Sequence, residues 1–212
     1  MNKKVGLLVI IIVFIGLIVG ARVLYNKLSE DEKGGTLVSQ ENEDEVSKTE
    51  DGTTEITDAN DTTESTTTED QEYSPAPNFT VVDGEGNEVK LSDFSGKPVV
   101  LNFWASWCGP CQMEMPDFNS AYLTYGEEIE FMMINLTDGM RETMDVAKEF
   151  IAGTEYEFPV YFDTEQSAAS VYNTYSIPVT YFVDADGNLV AYGVGALDAA
   201  TLQQGIDMIL EY

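Results

Sequence analysis

An α/β layered domain is predicted for residues 73–212 of this 212-residue chain, and three observations predict it. Apolar runs of strand length, Val99–Trp104 and Ile129–Leu136, alternate with segments whose apolar residues recur at helical spacing. Two pentapeptides, Asp83-Gly84-Glu85-Gly86-Asn87 and Asp184-Ala185-Asp186-Gly187-Asn188, stand between short β-type runs as hairpin signals. The order strand, helix, strand, helix, then hairpin and helix is that of a layered α/β domain.

Taken in order, Phe79–Val82 and Val89–Leu91 read as two short strands joined by the first pentapeptide. Val99–Trp104 is apolar on both faces apart from Asn102, as a buried central strand requires. Cys111, Met115, Phe118, Tyr122 and Tyr125 then repeat at helical spacing, with Pro116 expected to kink that helix by removing one backbone bond. After the strand at 129–136, Met140, Met144, Ala147 and Ile151 share one face of a second helix. A short strand at Val160–Phe162 and a brief helix around Ser167–Asn173 follow. Val179–Val183 pairs with Leu189–Val194 across the second pentapeptide. The last helix turns Leu202, Ile206, Ile209 and Leu210 inward, with Asp198 as N-cap. The second pentapeptide has the start of a calcium loop, but Gly195 stands where the twelfth position requires a bidentate Glu, so it reads as a turn.

The two remaining regions differ in kind. Residues 1–28 carry an apolar run, Val5–Ala21, after Lys3 and Lys4. Its 17 residues would span about 25 Å as a helix, against a bilayer core of about 30 Å. An uncleaved membrane anchor and a cleaved signal peptide ending near Val19-Gly20-Ala21 both fit. Residues 29–72 hold 16 acidic residues, two Lys and no aromatic residue. Such a stretch cannot bury enough apolar surface to offset chain entropy and is expected to be a disordered spacer.

Composition excludes several classes of function. The chain has 10 Lys+Arg against 38 Asp+Glu and a formal charge of −28, of which residues 73–212 carry −18. Nucleic-acid binding and adsorption to anionic lipid through basic patches both need clustered cations that are not here. With no His and two Cys, neither a His proton shuttle nor a four-ligand structural zinc site can be assembled, and no metal is expected.

The chemistry lies in Trp107-Cys108-Gly109-Pro110-Cys111, placed after a strand and opening a helix. Two cysteines separated by two residues can close a small disulfide. The helix N-terminus favours thiolate at the first, Cys108, the expected nucleophile. Cys111, one turn inside the helix, is then the resolving thiol, and Pro110 suits the first turn because it needs no N–H partner there. Haem attachment would need His where Gln112 stands. A metal pair lacks two further ligands. A peroxidase on this kind of fold would carry Thr and Pro where Ala105 and Leu101 stand. A purely structural disulfide would close a longer loop, since four residues constrain little entropy.

Phe103-Trp104-Ala105-Ser106-Trp107-Cys108-Gly109-Pro110-Cys111, Pro116, and Ile177-Pro178 before a strand resemble thioredoxin. Leu91–Pro98 and Cys111-Gln112-Met113-Glu114-Met115-Pro116 are more similar to the extracytoplasmic, membrane-anchored TlpA/ResA-type thiol-disulfide oxidoreductases, over roughly Ala76–Tyr212. The resemblance implies a thioredoxin fold, a central mixed sheet flanked by helices, here with an N-terminal hairpin extension.

It also implies that Pro178 is a cis-proline packed on the disulfide and that the Ile177 backbone pairs with a bound substrate strand. Trp107, Gly109 and Pro110 would complete the substrate surface. Asn102 stands where thioredoxin has a buried Asp; Glu114 matches the subgroup's carboxylate, which would take a proton from Cys111. From its position alone, Glu114 is equally a favourable charge in the first turns of a helix. The implied activity is reduction of protein disulfides outside the cytoplasm by a single-pass membrane protein, with no cofactor beyond the Cys108–Cys111 disulfide. The implied partners are exported proteins, apocytochrome c among them, and a membrane thiol relay that supplies electrons to a monomeric enzyme. Two alternatives stay open: a disulfide-forming oxidant, and a tethered binding module with a structural disulfide.

Overall fold

The computed structural model describes residues 36–39 and 73–211. The expected anchor at 1–28, and 29–35 and 40–72 of the expected spacer, lie outside the described residues. Among the described residues no helix is long and apolar enough to cross a membrane.

Among the described residues eight strands form one sheet: β1 (Thr36–Ser39), β2 (Thr80–Val82), β3 (Glu88–Lys90), β4 (Val99–Trp104), β5 (Glu130–Asn135), β6 (Val160–Phe162), β7 (Val179–Val183) and β8 (Leu189–Val194). Among the same residues four α-helices accompany them: α1 (Gly109–Tyr125), α2 (Met144–Ala152), α3 (Ser167–Val171) and α4 (Ala199–Leu210). The spatial order is β1-β8-β7-β4-β5-β6-β2-β3. β4, β5 and β6 are parallel, while β7 runs antiparallel to β4 and β8 to β7. The β2–β3 hairpin adds to β6. This is the mixed sheet with hairpin extension that the sequence implied.

The period of two divides the core between the faces of the sheet. Val100 and Trp104 of β4, with Phe131 and Met133 of β5, pack against Cys111, Met115 and Phe118 of α1 and Leu202, Ile206 and Ile209 of α4. Val99, Leu101 and Phe103 point the other way, with Met132, Ile134, Phe79 and Tyr172. Gly205 lets α4 approach β7 closely, since a Cβ there would collide with the ring of buried Phe182.

Both pentapeptides close hairpins by one device. In each, the first Asp accepts from the Asn backbone N–H four residues on and from the Asn side-chain amide. Gly86 and Gly187, at φ +89 and +86, occupy the left-handed position that such a turn demands.

The structure corrects four expectations. First, Thr36–Ser39 belongs not to a disordered spacer but to the sheet, pairing antiparallel with β8 from Thr36↔Val194 to Ser39↔Ala191. Thr-Leu-Val-Ser is an apolar, β-prone island, and the open edge of β8 offers it a ladder while Leu37 packs on the core. The chain next enters the described region where Leu189 N–H donates to Ser74 O, at 2.9 Å. Residues 40–72 therefore connect two points on β8, and only residues 29–35 stand between the expected anchor region at 1–28 and Thr36. Second, Met140 is 88% exposed and precedes α2, which begins after Thr143 caps it by accepting from Val146 N–H. Third, Leu210, the last residue of α4, is 37% exposed. Fourth, Leu91 opens a 3-10 turn over Leu91–Phe94 instead of ending β3, and α3 stops at Val171.

Candidate active site

β4 ends at Trp104, and the chain turns through Ala105–Trp107 to deliver Cys108 to the N-cap of α1. Cys108 Sγ accepts from the Cys111 backbone N–H at 3.2 Å, so the first cysteine lies in the field of the helix N-terminus, as expected. Pro110 sits in the first turn, where its missing N–H costs nothing. Cys108 and Cys111 are joined as a disulfide, with 5.3 Å between their Cα atoms. Cys111 is fully buried and Cys108 is 4% exposed, so of the two residues only Cys108 reaches the surface.

Ile177-Pro178 is a cis peptide bond. It immediately precedes β7, whose Val179 pairs with Phe103 one residue before the end of β4. The cis-proline thus lies at the same end of the sheet as the cysteine loop. Pro178 is buried, its carbonyl accepts from Gly195 N–H at 2.9 Å, and Ile177 packs on the core cluster that contains both cysteines. Trp107 and Gly109 are exposed around Cys108, as a substrate surface requires. Trp104 is fully buried and serves packing.

Glu114 follows Cys111 by one turn on the buried face of α1 and is 2% exposed. Asn102 Nδ2 donates to its Oε1 at 2.8 Å, and Leu197 N–H donates to its Oε2 at 2.9 Å. Burial pushes its carboxyl up to about 7; those two hydrogen bonds pull the other way without cancelling the desolvation. A carboxyl that titrates near neutrality can take up and release a proton at working pH. Asn102 also donates to Thr180 Oγ1 at 3.0 Å, while its Oδ1 is buried with no donor.

Two residues that the sequence reading passed over complete the site. Glu142 is fully buried, and its carboxylate accepts from the Ser106 backbone N–H and Oγ, each at 2.7 Å, and from Asn135 Nδ2 at 2.7 Å. It ties the cysteine loop to the end of β5. Arg141, beside it, lays its guanidinium 3.8 Å from the centre of the Trp107 ring. Nothing local in an acidic chain marks one glutamate as buried, so only the tertiary contact reveals Glu142.

A Cys-x-x-Cys disulfide at a helix N-terminus, delivered by a central parallel strand beside a cis-proline, defines the thioredoxin-like class of dithiol–disulfide proteins. Residues 73–192 match the AhpC/TSA family. The chain belongs to that family and is a homologue of its ResA-type thiol-disulfide oxidoreductases.

Thiol-disulfide oxidoreductase ResA of Bacillus thuringiensis subsp. konkukian is 37% identical over 116 residues, 54% of this chain. ResA of Bacillus subtilis is 30% identical over 139 residues, 65% of this chain. The chain spans 65% of the length of the first of these relatives and 75% of the second. Among solved structures, a thiol:disulfide interchange protein of Chlorobium tepidum superposes with a TM-score of 0.57 at 27% identity, over 66% of this chain and 99% of that one. StoA of Bacillus subtilis gives 0.54 at 25%, over 64% and 99%.

Proposed function

We propose that this protein reduces disulfides in exported proteins, working outside the cytoplasm from a membrane anchor at Val5–Ala21. The observation that carries the reading is the Cys108–Cys111 disulfide at the N-terminus of α1, on the same helix as the buried, near-neutral carboxyl of Glu114.

In the reducing cycle the Cys108 thiolate attacks one sulfur of a client disulfide. A Cys108–client mixed disulfide forms, and the client's other sulfur leaves as a thiolate. Glu114 accepts the Cys111 proton, and the Cys111 thiolate attacks Cys108 Sγ. The internal disulfide closes and the client's second sulfur is released, so two electrons have passed from the dithiol to the client. The Ile177 backbone, Pro178 and the exposed Trp107–Pro110 rim hold the client strand during the exchange. A dithiol donor protein, a membrane thiol relay by resemblance, returns the two electrons. Apocytochrome c is the client that the resemblance suggests.

The reducing direction rests on the Gly109-Pro110 dipeptide, which resembles reductants near about −270 mV and not strong oxidants near −120 mV. Insulin reduction by the full-length protein tests the activity, and full activity in Cys108→Ser overturns it. A measured potential well above about −180 mV would reverse the direction.

A further inference from the structure

Residues 73–212 contain four cations against 22 carboxylates, and three of the four are placed away from the cysteines. Lys97 pairs with Glu130 at 3.4 Å, and Lys148 donates to Gly84 O and faces the Phe162 ring. Lys90 ends β3 at the far edge of the sheet. Arg141 alone stands beside the active-site loop, over Trp107, which adjoins Cys108 and is 43% exposed.

The placement is built. Asp138 Oδ1 accepts from the backbone N–H groups of Met140, Arg141 and Glu142 at 2.7, 2.8 and 2.9 Å, which fixes the loop. The next side chain, Glu142, grips Ser106, the residue before Trp107. Arg141 and Trp107 are thus clamped from both sides, and the stacked guanidinium is spared rotamer freedom that an isolated surface arginine would lose on binding.

Despite the acid excess, no carboxylate among the described residues lies within ion-pair distance of Arg141. Asp138 feels its charge but spends its Oδ1 on three amides. Stacking occupies the guanidinium face and leaves its N–H edge to donate to a carboxylate in two-point fashion.

We propose that Arg141, stacked on Trp107, is a specificity residue that receives an Asp or Glu side chain flanking the reactive cysteine of the client. The proposal rests on the thiol-disulfide reading above and names the substrate class for that site. The domain's net negative charge does not oppose it at contact: at physiological salt its field is screened over about 8 Å, so the local cation decides the pairing.

The test uses the full-length protein and disulfide-closed peptides bearing Glu, Gln or Lys beside both cysteines, with insulin as a parallel substrate. The Glu peptide should exceed the Gln peptide in kcat/KM by about two- to fivefold at low salt, the range of an exposed ion pair. The advantage should shrink near about 1 M salt. Arg141→Gln should bring the Glu/Gln ratio to about one, and Arg141→Glu should invert the preference toward Lys, which a merely structural loss would not do. A wild-type ratio near one, or an unchanged ratio in Arg141→Gln, overturns the proposal. If insulin is reduced while the peptides are not discriminated, only the role of Arg141 falls. If neither insulin nor any peptide is reduced, the thiol-disulfide reading falls with it.

Discussion

Asn102 Nδ2 donates to Glu114 Oε1 at 2.8 Å, joining the central strand β4 to the helix that carries both cysteines. Strand residues 102 and 180 and helix residue 114 thereby form one buried polar chain, since the same amide also donates to Thr180 Oγ1. Each residue of the chain has a partner, while the Oδ1 atom of Asn102 is buried without one, a cost the other bonds offset. The carboxyl at the helix end of the chain titrates near neutrality.

Glu114 should make folding stability depend on pH in a definite direction. Its carboxyl lies at about 7 in the fold and near 4.5 when unfolded, because burial penalises the charge. Its stabilising contribution is complete below 4.5 and is lost as pH rises through about 7. The total is roughly 3 kcal/mol by linkage. Urea unfolding of the wild type and Glu114→Gln between pH 4 and 8 should show this slope in the difference curve; parallel profiles would disprove it.

The same residue should separate the two chemical steps. If Glu114 accepts the Cys111 proton, Glu114→Gln slows release of the mixed disulfide more than its formation. In the wild type, release should accelerate as pH passes through about 7, the point at which the carboxylate appears, and the variant should lack that rise. Rapid mixing with acid trapping of the mixed disulfide measures both steps. Equal slowing of both would exclude the role.

Glu142→Ala should destabilise the protein strongly for a loop residue. The change leaves the half-buried Ser106 N–H and Oγ and the buried Asn135 amide without their shared acceptor. A cost of about 2–4 kcal/mol is expected from unsatisfied buried donors. Glu142→Gln, which keeps one acceptor oxygen, should lose less. Denaturant midpoints at fixed pH decide, and a loss below about 0.5 kcal/mol for the alanine variant would contradict the clamp.

Val38→Pro in the full-length chain should expose the β8 edge. Proline fixes φ at about −65°, short of the extended antiparallel strand, and crowds the residue before it, so it disfavours β1 at Val38, which pairs with Tyr192. Hydrogen exchange at Ala191–Val194 should quicken, while exchange in the central β4 and β5 stays slow. Unchanged protection at Ala191–Val194 would mean that β1 does not hold that edge.

What could be read from the chain was local. The Cys108–Pro110–Cys111 spacing is contained in one helical turn, so its capping geometry followed from adjacent residues. The apolar runs that became β4 and β5 announced burial on both faces. Met140 misled because its period continued that of α2, whereas the helix start was decided by the hydroxyl of Thr143. Leu210 misled because it follows Ile206 at helical spacing, yet Ile209 already fills the buried stripe and leaves Leu210 at its exposed margin.

The sequence by itself determined the fold class, the cysteine pair and its place at a helix start, because strand period, turn chemistry and Cys spacing act over a few residues. The tertiary structure decided the rest. It placed Asn102 and Leu197 on the two oxygens of Glu114, Glu142 on Ser106, Arg141 on Trp107, and Thr36–Ser39 on the edge of β8. Each of these joins segments separated along the chain, and desolvation, charge pairing and edge closure act only once the fold has brought the groups together.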